Sequence, residues 1–420
     1  MKPTAPPPPL PPSGALPGAP AIHAIWPALL ALTTAFGLSQ AYRTVIALMA
    51  VSVQGEFHLN EEALGLFAAC YHFAFAGMQL FAGIGIDLHG VRRTVLAAFP
   101  LAIVGAVVSA LAHNYAMLVL GQVLIGVGCA PTFLVCTVFI ARHLPPLRFA
   151  AVSGLVLGLG GIGMLITGTP LAWLIQATSW RGGYWALGAL SVLSWLLIYA
   201  LVHEPSARAP HPGDAPAPRE TVGQAIKKFG ALFTLPHTLG ILLLASVGYA
   251  SFIALRGLWL GPMLIQRHGF SLVQSGNVAL AMSFSSLFGR FDPGPLQRRR
   301  WIVGFTLLMA ALFAIFVVTH SAVVDVLDPI VIGLLSGFMV LQYADVRSAY
   351  PAALTGRAMA LFTMAMFMGV ALMQWFTGFV ATLATAQGIE PFAAVLGSIA
   401  ALLAAGALAF VVLPGPARQH

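Results

Sequence analysis

Twelve long apolar stretches, parted by short polar loops, constrain this chain more than any other feature of its sequence. A run of about 20 apolar residues crosses a bilayer as a helix. In hydrocarbon it must satisfy its own backbone groups, which a helix does and an open strand does not. The predicted spans are 25–50, 63–86, 94–112, 116–141, 149–175 and 181–201, then 237–261, 272–290, 301–320, 328–347, 357–384 and 391–413. Only 8% of the 420 residues are charged and 59% are hydrophobic, against about 25% charged in a soluble domain. The expected fold class is therefore all-α integral membrane, with twelve transmembrane helices in two six-helix bundles.

The loops carry a charge signal that tests this count. With the N-terminus placed in the cytoplasm and the spans alternating, sixteen of the 20 Lys and Arg fall on the cytoplasmic side. Arg181 and Arg267 fall outside, while Arg43 and Arg256 lie within spans. Such asymmetry predicts a cytoplasmic N-terminus and C-terminus. The net charge of +8 is thus a topology signal, with no nucleic-acid partner expected. The predicted domains are a disordered Pro-rich tail (1–22), a first bundle (23–203), a cytoplasmic linker (204–236), a second bundle (237–414) and a short tail (415–420). The N-terminal tail has no apolar core of signal-peptide length.

The two halves repeat. Arg43 and Arg256 differ by 213 positions, as do Phe57 in FHLNEEALGL and Phe270 in FSLVQSGNVAL. Asp87 corresponds to Asp292 with a shift of 205, and Arg148 to Arg357 with a shift of 209. Parallel six-helix repeats are a transporter plan in which the substrate binds near mid-membrane between the halves.

Within that plan the buried arginines are the main candidates for a site. A cation in hydrocarbon is costly and usually faces a cavity or a partner. A guanidinium binds carboxylate or phosphate through two parallel hydrogen bonds. Arg43 and Arg256, one per half, are expected to hold an anion between them. Gln40 and Thr44 share helical spacing with Thr33 and Gly37, and Tyr249 lies seven residues before Arg256 on one face. These three join the candidate substrate-binding set. The competing reading has both arginines snorkelling to the surface or paired structurally. His72 and Asp345 are the candidate proton carriers, if protons or a counter-anion drive transport. Their competing readings are a hydrogen-bonded interior histidine, and an ion pair of Asp345 with an arginine such as Arg347 or Arg357.

The segment Gly83-Ile-Gly-Ile-Asp87-Leu-His-Gly90-Val-Arg92-Arg93 resembles the loop between helices two and three of the major facilitator superfamily, with a decayed copy around Asp292. That resemblance, with helix count, linker and repeat, covers essentially the whole chain after the tail. It implies alternating access by rocking of two bundles. It also implies a cytoplasmic gate formed by Gly83, Asp87, Gly90, Arg92, Arg93 and Asp292. Ala41-Tyr42-Arg43-Thr44 looks like the first-helix motif of organic-anion symporters. Paired arginines on helices one and seven are similar to those of phosphate and organic-anion exchangers in this superfamily. Leu88 departs from the basic residue usual after the acid, and Gln122 replaces a frequent arginine. Gly154 and Gly158 lack the glycine-proline order of drug antiporters. These departures count against drug efflux, which remains the alternative to an anion transporter.

Cys70, Cys129 and Cys136 all fall in apolar segments and are read as packing residues. Met359, Met364, Met366, Met368 and Met373 cluster on one span; copper(I) import is the functional reading and flexible packing the preferred one. No HExxH or GxSxG motif occurs, so no enzyme activity and no cofactor is expected. A transporter-derived sensor would bind ligand without flux. The expected setting is a bacterial inner membrane, with the lipid bilayer and a small solute as partners, and a monomer.

Overall fold

The computed structural model describes residues 22–203, 230–288, 293–350 and 352–414. Of the expected segments, most of the N-terminal tail, most of the linker, Asp292 and the last residues lie outside the described residues. All regular structure among the described residues is helical.

The first half contains six helical legs. α1 runs Ile22–Thr44 and continues as Ile46–Phe57 after a 44° bend at Val45. No proline sits at that bend. The Thr44 hydroxyl instead donates back to the carbonyls of Gln40 and Ala41, a bond that bends helices. α2 and α3 form one 50-residue helix, Glu61–Ala110, broken at Gly90, where φ is +83°. Only glycine takes that conformation without strain. Asn60 caps its start by accepting from the Ala63 amide at 2.9 Å, with Glu61 and Glu62 favourably placed in the first turn. α4 is Tyr115–Cys129 and Thr132–His143, interrupted beside Pro131. α5 is Pro146–Ile166 and Thr169–Ala177, and α6 is Trp180–Leu201.

The second half repeats the plan. α7 is Thr238–Ala254, a π-helical turn Leu255–Trp259, and Leu260–His268. α8 is Leu272–Ser285, opened by a full capping box of Ser271 and Gln274. α9 is Pro295–Val318. α10 is Ala322–Ser336, a 3-10 turn Gly337–Met339, and Val340–Ala349. α11 is Ala352–Ala386 and α12 is Pro391–Val412. Among the described residues nine helices are long and apolar enough to cross a membrane, or ten with the bent α1 counted as one span. The other two legs are α2, whose first turn is acidic, and α8, described over 14 residues. They complete the twelve-helix, two-bundle architecture.

The halves meet most closely at the end bearing the α1–α2 and α7–α8 turns, called here the far end. Apolar side chains gain little by leaving lipid for each other, so membrane helices associate through close backbone packing. Gly65 of α2 shows this: a Cβ there would lie 2.6 Å from the Gln374 carbonyl oxygen and 2.9 Å from Gly378 Cα on α11. Beside it the Glu62 amide donates to Thr382 Oγ1 at 2.9 Å. Thr169 of α5 donates to Asn277 of α8 at 2.6 Å.

The far end also accounts for both exceptions to the charge census. Arg181, at the start of α6, pairs with Glu56 at the end of α1 at 2.6 Å. Arg267, at the end of α7, pairs with Glu390 before α12 at 2.7 Å. Each half thus ties its first leg to its sixth, with acid and base exchanged.

Candidate functional site

Arg43 and Arg256 are both buried, at 4% and 0% exposure. Neither snorkels to a surface, and among the described residues no carboxylate pairs with either. Both are held by neutral groups, and both reach across the interface between the halves.

Arg43 projects from α1 into the seam between α2, α7 and α11. Its Nη1 donates to Gln40 Oε1 at 2.6 Å and to the Tyr249 hydroxyl at 3.5 Å. Its Nη2 donates to Ser39 Oγ at 3.2 Å, and its Nε to the Tyr71 hydroxyl at 3.4 Å. Phe75 of α2 and Phe367 of α11 each place a ring centroid 4.5 Å from its central carbon. A guanidinium over an aromatic face gains about 0.5–2 kcal/mol, so the rings take up part of the charge that no acid balances.

Arg256 projects from the π-helical turn of α7 into the seam between α5 and α8. Its Nε donates to the Ala279 carbonyl at 3.0 Å and to Ser283 Oγ at 2.8 Å on α8. Its Nη2 donates to the carbonyls of Met164 at 2.9 Å and Thr167 at 3.2 Å on α5. Nη1 is buried and has no hydrogen-bond partner. π-Helical turns recur at functional sites; here the extra residue widens one turn of α7 at the arginine.

The two guanidiniums thus enter different seams. In this state the two share no direct protein ligand. The backbones explain why. A Cβ on Gly257 would lie 2.7 Å from the Arg43 carbonyl oxygen, so α1 and α7 pack main chain to main chain and their arginines point away on either side. A hydroxyl chain still joins them. Arg256 Nη2 donates to Thr167 Oγ1 at 3.4 Å, and Thr167 Oγ1 lies 2.7 Å from Thr44 Oγ1. Thr44 bonds the Gln40 carbonyl, and the Gln40 side chain accepts from Arg43.

The other candidates divide. Gln40 and Tyr249 belong to the Arg43 seam. Thr44 turns towards α5. Thr33 is buried, and its hydroxyl donates to the Leu29 carbonyl of its own helix at 2.7 Å. His72 is buried one residue after Tyr71; its Nδ1 lies 3.4 Å from the Ala68 carbonyl and its Nε2 lacks a partner. An ion partner of Asp345 is Arg299, at 3.9 Å, because α9 packs against the end of α10. In the gate segment Gly83 is half-buried, Asp87 and Arg93 are exposed, and Gly90 makes the break. Arg92 donates to the Tyr199 carbonyl at 3.0 Å and lies over the Tyr199 ring. Met366 accepts from the Tyr343 hydroxyl at 3.5 Å, so that methionine serves the packing of α10 against α11.

Sequence reasoning missed Phe75, Phe367, Ser39, Tyr71, Thr167 and Ser283. Ser39 carried a signal, four residues before Arg43. Phe75 and Phe367 carried none among 27 phenylalanines.

Residues 28–373 match the sequence model described as Major Facilitator Superfamily. Over 164 residues the chain is 25% identical to the Probable sulfoacetate transporter SauU of Cupriavidus necator, covering 39% of this chain and 38% of that protein. Over 178 residues it is 21% identical to the Hexuronate transporter of Bacillus subtilis, covering 42% of each. The chain therefore matches about two fifths of the length of these curated relatives. Among solved structures it is similar to a D-xylose-proton symporter, with a TM-score of 0.72, 15% identity and coverage of 94% and 98%. It is also similar to a bacterial homolog of the human lysosomal transporter Spinster, with a TM-score of 0.67, 18% identity and coverage of 94% and 96%. These likenesses establish the fold.

Proposed function

The chain belongs to the major facilitator superfamily, and we propose that it is a transporter that moves a small organic or inorganic anion across a membrane by alternating access. One observation carries the anion reading. Arg256 is fully buried, is paired with no acid among the described residues, and keeps its Nη1 amino group, with two N–H donors, unbonded. An unsatisfied donor on a buried cation is expensive, and a bound carboxylate, sulfonate or phosphate would relieve both costs at once. SauU and the hexuronate transporter are named for anions, which supports the same class.

The proposed cycle follows from who holds the arginines. In the present state both halves share them: Arg43 is bound by Tyr249 and Phe367 from the second half, and Arg256 by Met164 and Thr167 from the first. Rocking the halves apart at the far end would strip these ligands from each arginine. An anion entering from that side would replace them and then be carried through as the halves close again. Arg256 is the primary anion ligand in this reading. Arg43, Gln40, Thr44 and Tyr249 form the second seam, and the segment from Gly83 to Arg93 the gate at the opposite end.

The excess of fourteen cytoplasmic bases, sixteen against two, supports placing both termini in the cytoplasm with the far end outside; the membrane in this reading is a bacterial inner membrane. A monomer needs no further partner than lipid and solute.

Thermal stabilisation of the purified protein against carboxylates, sulfonates, phosphates and cations tests the reading. At 100 times its dissociation constant a ligand adds about 2.7 kcal/mol. One anion class should stabilise the wild type and not Arg256→Gln. Stabilisation by cations alone, unchanged in the variant, would reject the anion reading.

A further inference from the structure

A second cluster of ionisable groups lies at the far end of the second half, apart from both arginine seams. Asp325 and Asp328 stand one turn apart on α10, at 0% and 9% exposure. Asp325 Oδ2 accepts from Arg267 Nη1 at 2.9 Å and from His268 Nε2 at 2.7 Å. Arg267 is shared, since its Nε and Nη2 donate to Glu390 at 2.8 and 2.7 Å. His320 stands 3.9 Å from Glu390. Around the Asp325 end of α10 the packed elements add no other charge: α8 has none over Leu272–Ser285, and α9, whose arginines lie at its opposite end, contributes only the Phe316 carbonyl, to Arg267.

The charges do not balance. Three carboxylates, Asp325, Asp328 and Glu390, face one permanent cation, Arg267, with two imidazoles that are charged only when protonated. Arg267 is already divided between Asp325 and Glu390. Asp328 has no cationic partner among the described residues. Two buried oxygens, Asp325 Oδ1 and Asp328 Oδ2, lack any hydrogen-bond donor. Two adjacent carboxylates with unfilled oxygens in a water-poor site cannot both stay ionised cheaply. The missing ligand is a donor with positive charge. No group of three or more His, Cys, Asp or Glu among the described residues is arranged to hold a metal ion.

We propose that Asp328, together with Asp325 and His268, forms a proton-binding site on the far side of the second half. The proton resides on Asp328, where it removes one of the two adjacent buried negative charges. Because Arg267 links this cluster to the Glu390 cap of α12, gain or loss of the proton changes how firmly α7, α10 and α12 are tied at that end. The site is distinct from His72 and Asp345, and it stands whether or not the solute is an anion.

Infrared difference spectroscopy on the purified full-length protein tests it, because a protonated carboxylic acid has a carbonyl stretch that a carboxylate lacks. In mildly acidic buffer the wild type should show that band, and titration to alkaline pH should remove it. The band should shift when aspartate is isotope-labelled, and it should be lost in Asp328→Asn and kept in Asp345→Asn. A wild-type spectrum with no titrating aspartic-acid band would overturn the proposal without any variant needing to fold. So would a band that persists unchanged in a folded Asp328→Asn protein.

Discussion

The hydroxyls of Thr44 and Thr167 lie 2.7 Å apart, one on each side of the α1–α5 contact, and complete the bonded path from Arg256 to Arg43. Thr44 directly precedes the bend of α1 at Val45, so a change at one arginine has a mechanical route to the other. Thr167→Val keeps the side chain's shape and removes the hydroxyl. It should lower stability by about 1 kcal/mol, read as a reduced melting temperature in detergent. An unchanged melt would mean that the path carries no energy.

Arg43→Lys separates charge from shape. A lysine keeps the cation but loses the planar fork shared by Ser39, Gln40, Tyr71 and Tyr249, and fits less well between Phe75 and Phe367. The loss should be roughly 1–3 kcal/mol. The same measurement on Phe367→Leu should show part of that loss.

Gly65 sets how closely the far end can shut. Gly65→Val cannot be placed against Gln374 and Gly378 without moving a backbone. Spin labels on the far ends of the two halves should report a longer distance in the variant than in the wild type. Equal distances would show that the closed far end tolerates a side chain there.

The two far-end ion pairs should behave differently. Glu56 and Arg181 are both partly exposed, so Glu56→Gln should cost less than about 1 kcal/mol. Glu390 carries a pH signature. Burial acts to raise its pKa, but the hydrogen bonds and charge of Arg267 outweigh this and hold it below the ordinary 4.5. A depressed folded-state value gives stability that is complete above the unfolded pKa and is lost as pH falls through the folded one. The melting-temperature gap between wild type and Glu390→Gln should be constant near neutral pH and should shrink as pH drops below 4.5. A gap that widens in acid would contradict the pairing.

The helices were legible because hydrocarbon imposes a length and an internal hydrogen-bond pattern on any spanning segment. The buried arginines were legible because a charge stands out against an apolar run, and the repeat because it places them at equal offsets. What surrounds them was not. A helical period assigns Arg43 and Thr44 to neighbouring positions, but the bend at Val45 and the close approach at Gly257 decide which seam each enters. The π-helical turn at Leu255–Trp259 left no mark in the sequence, and it sets where Arg256 points. Asp345 finds Arg299 because α9 packs on α10, a relation no local pattern encodes. Asp325 and Asp328 sit at the edge of their span in sequence, yet three neighbouring elements bury them.

The central claim is that the uncompensated charge of Arg256 is there to bind a transported anion. Uptake of the stabilising anion into liposomes carrying wild-type, Arg256→Gln or Arg43→Gln protein tests it directly. Saturable uptake by the wild type, abolished in Arg256→Gln, is the predicted result. Binding without any wild-type flux, or full flux in Arg256→Gln, would contradict it.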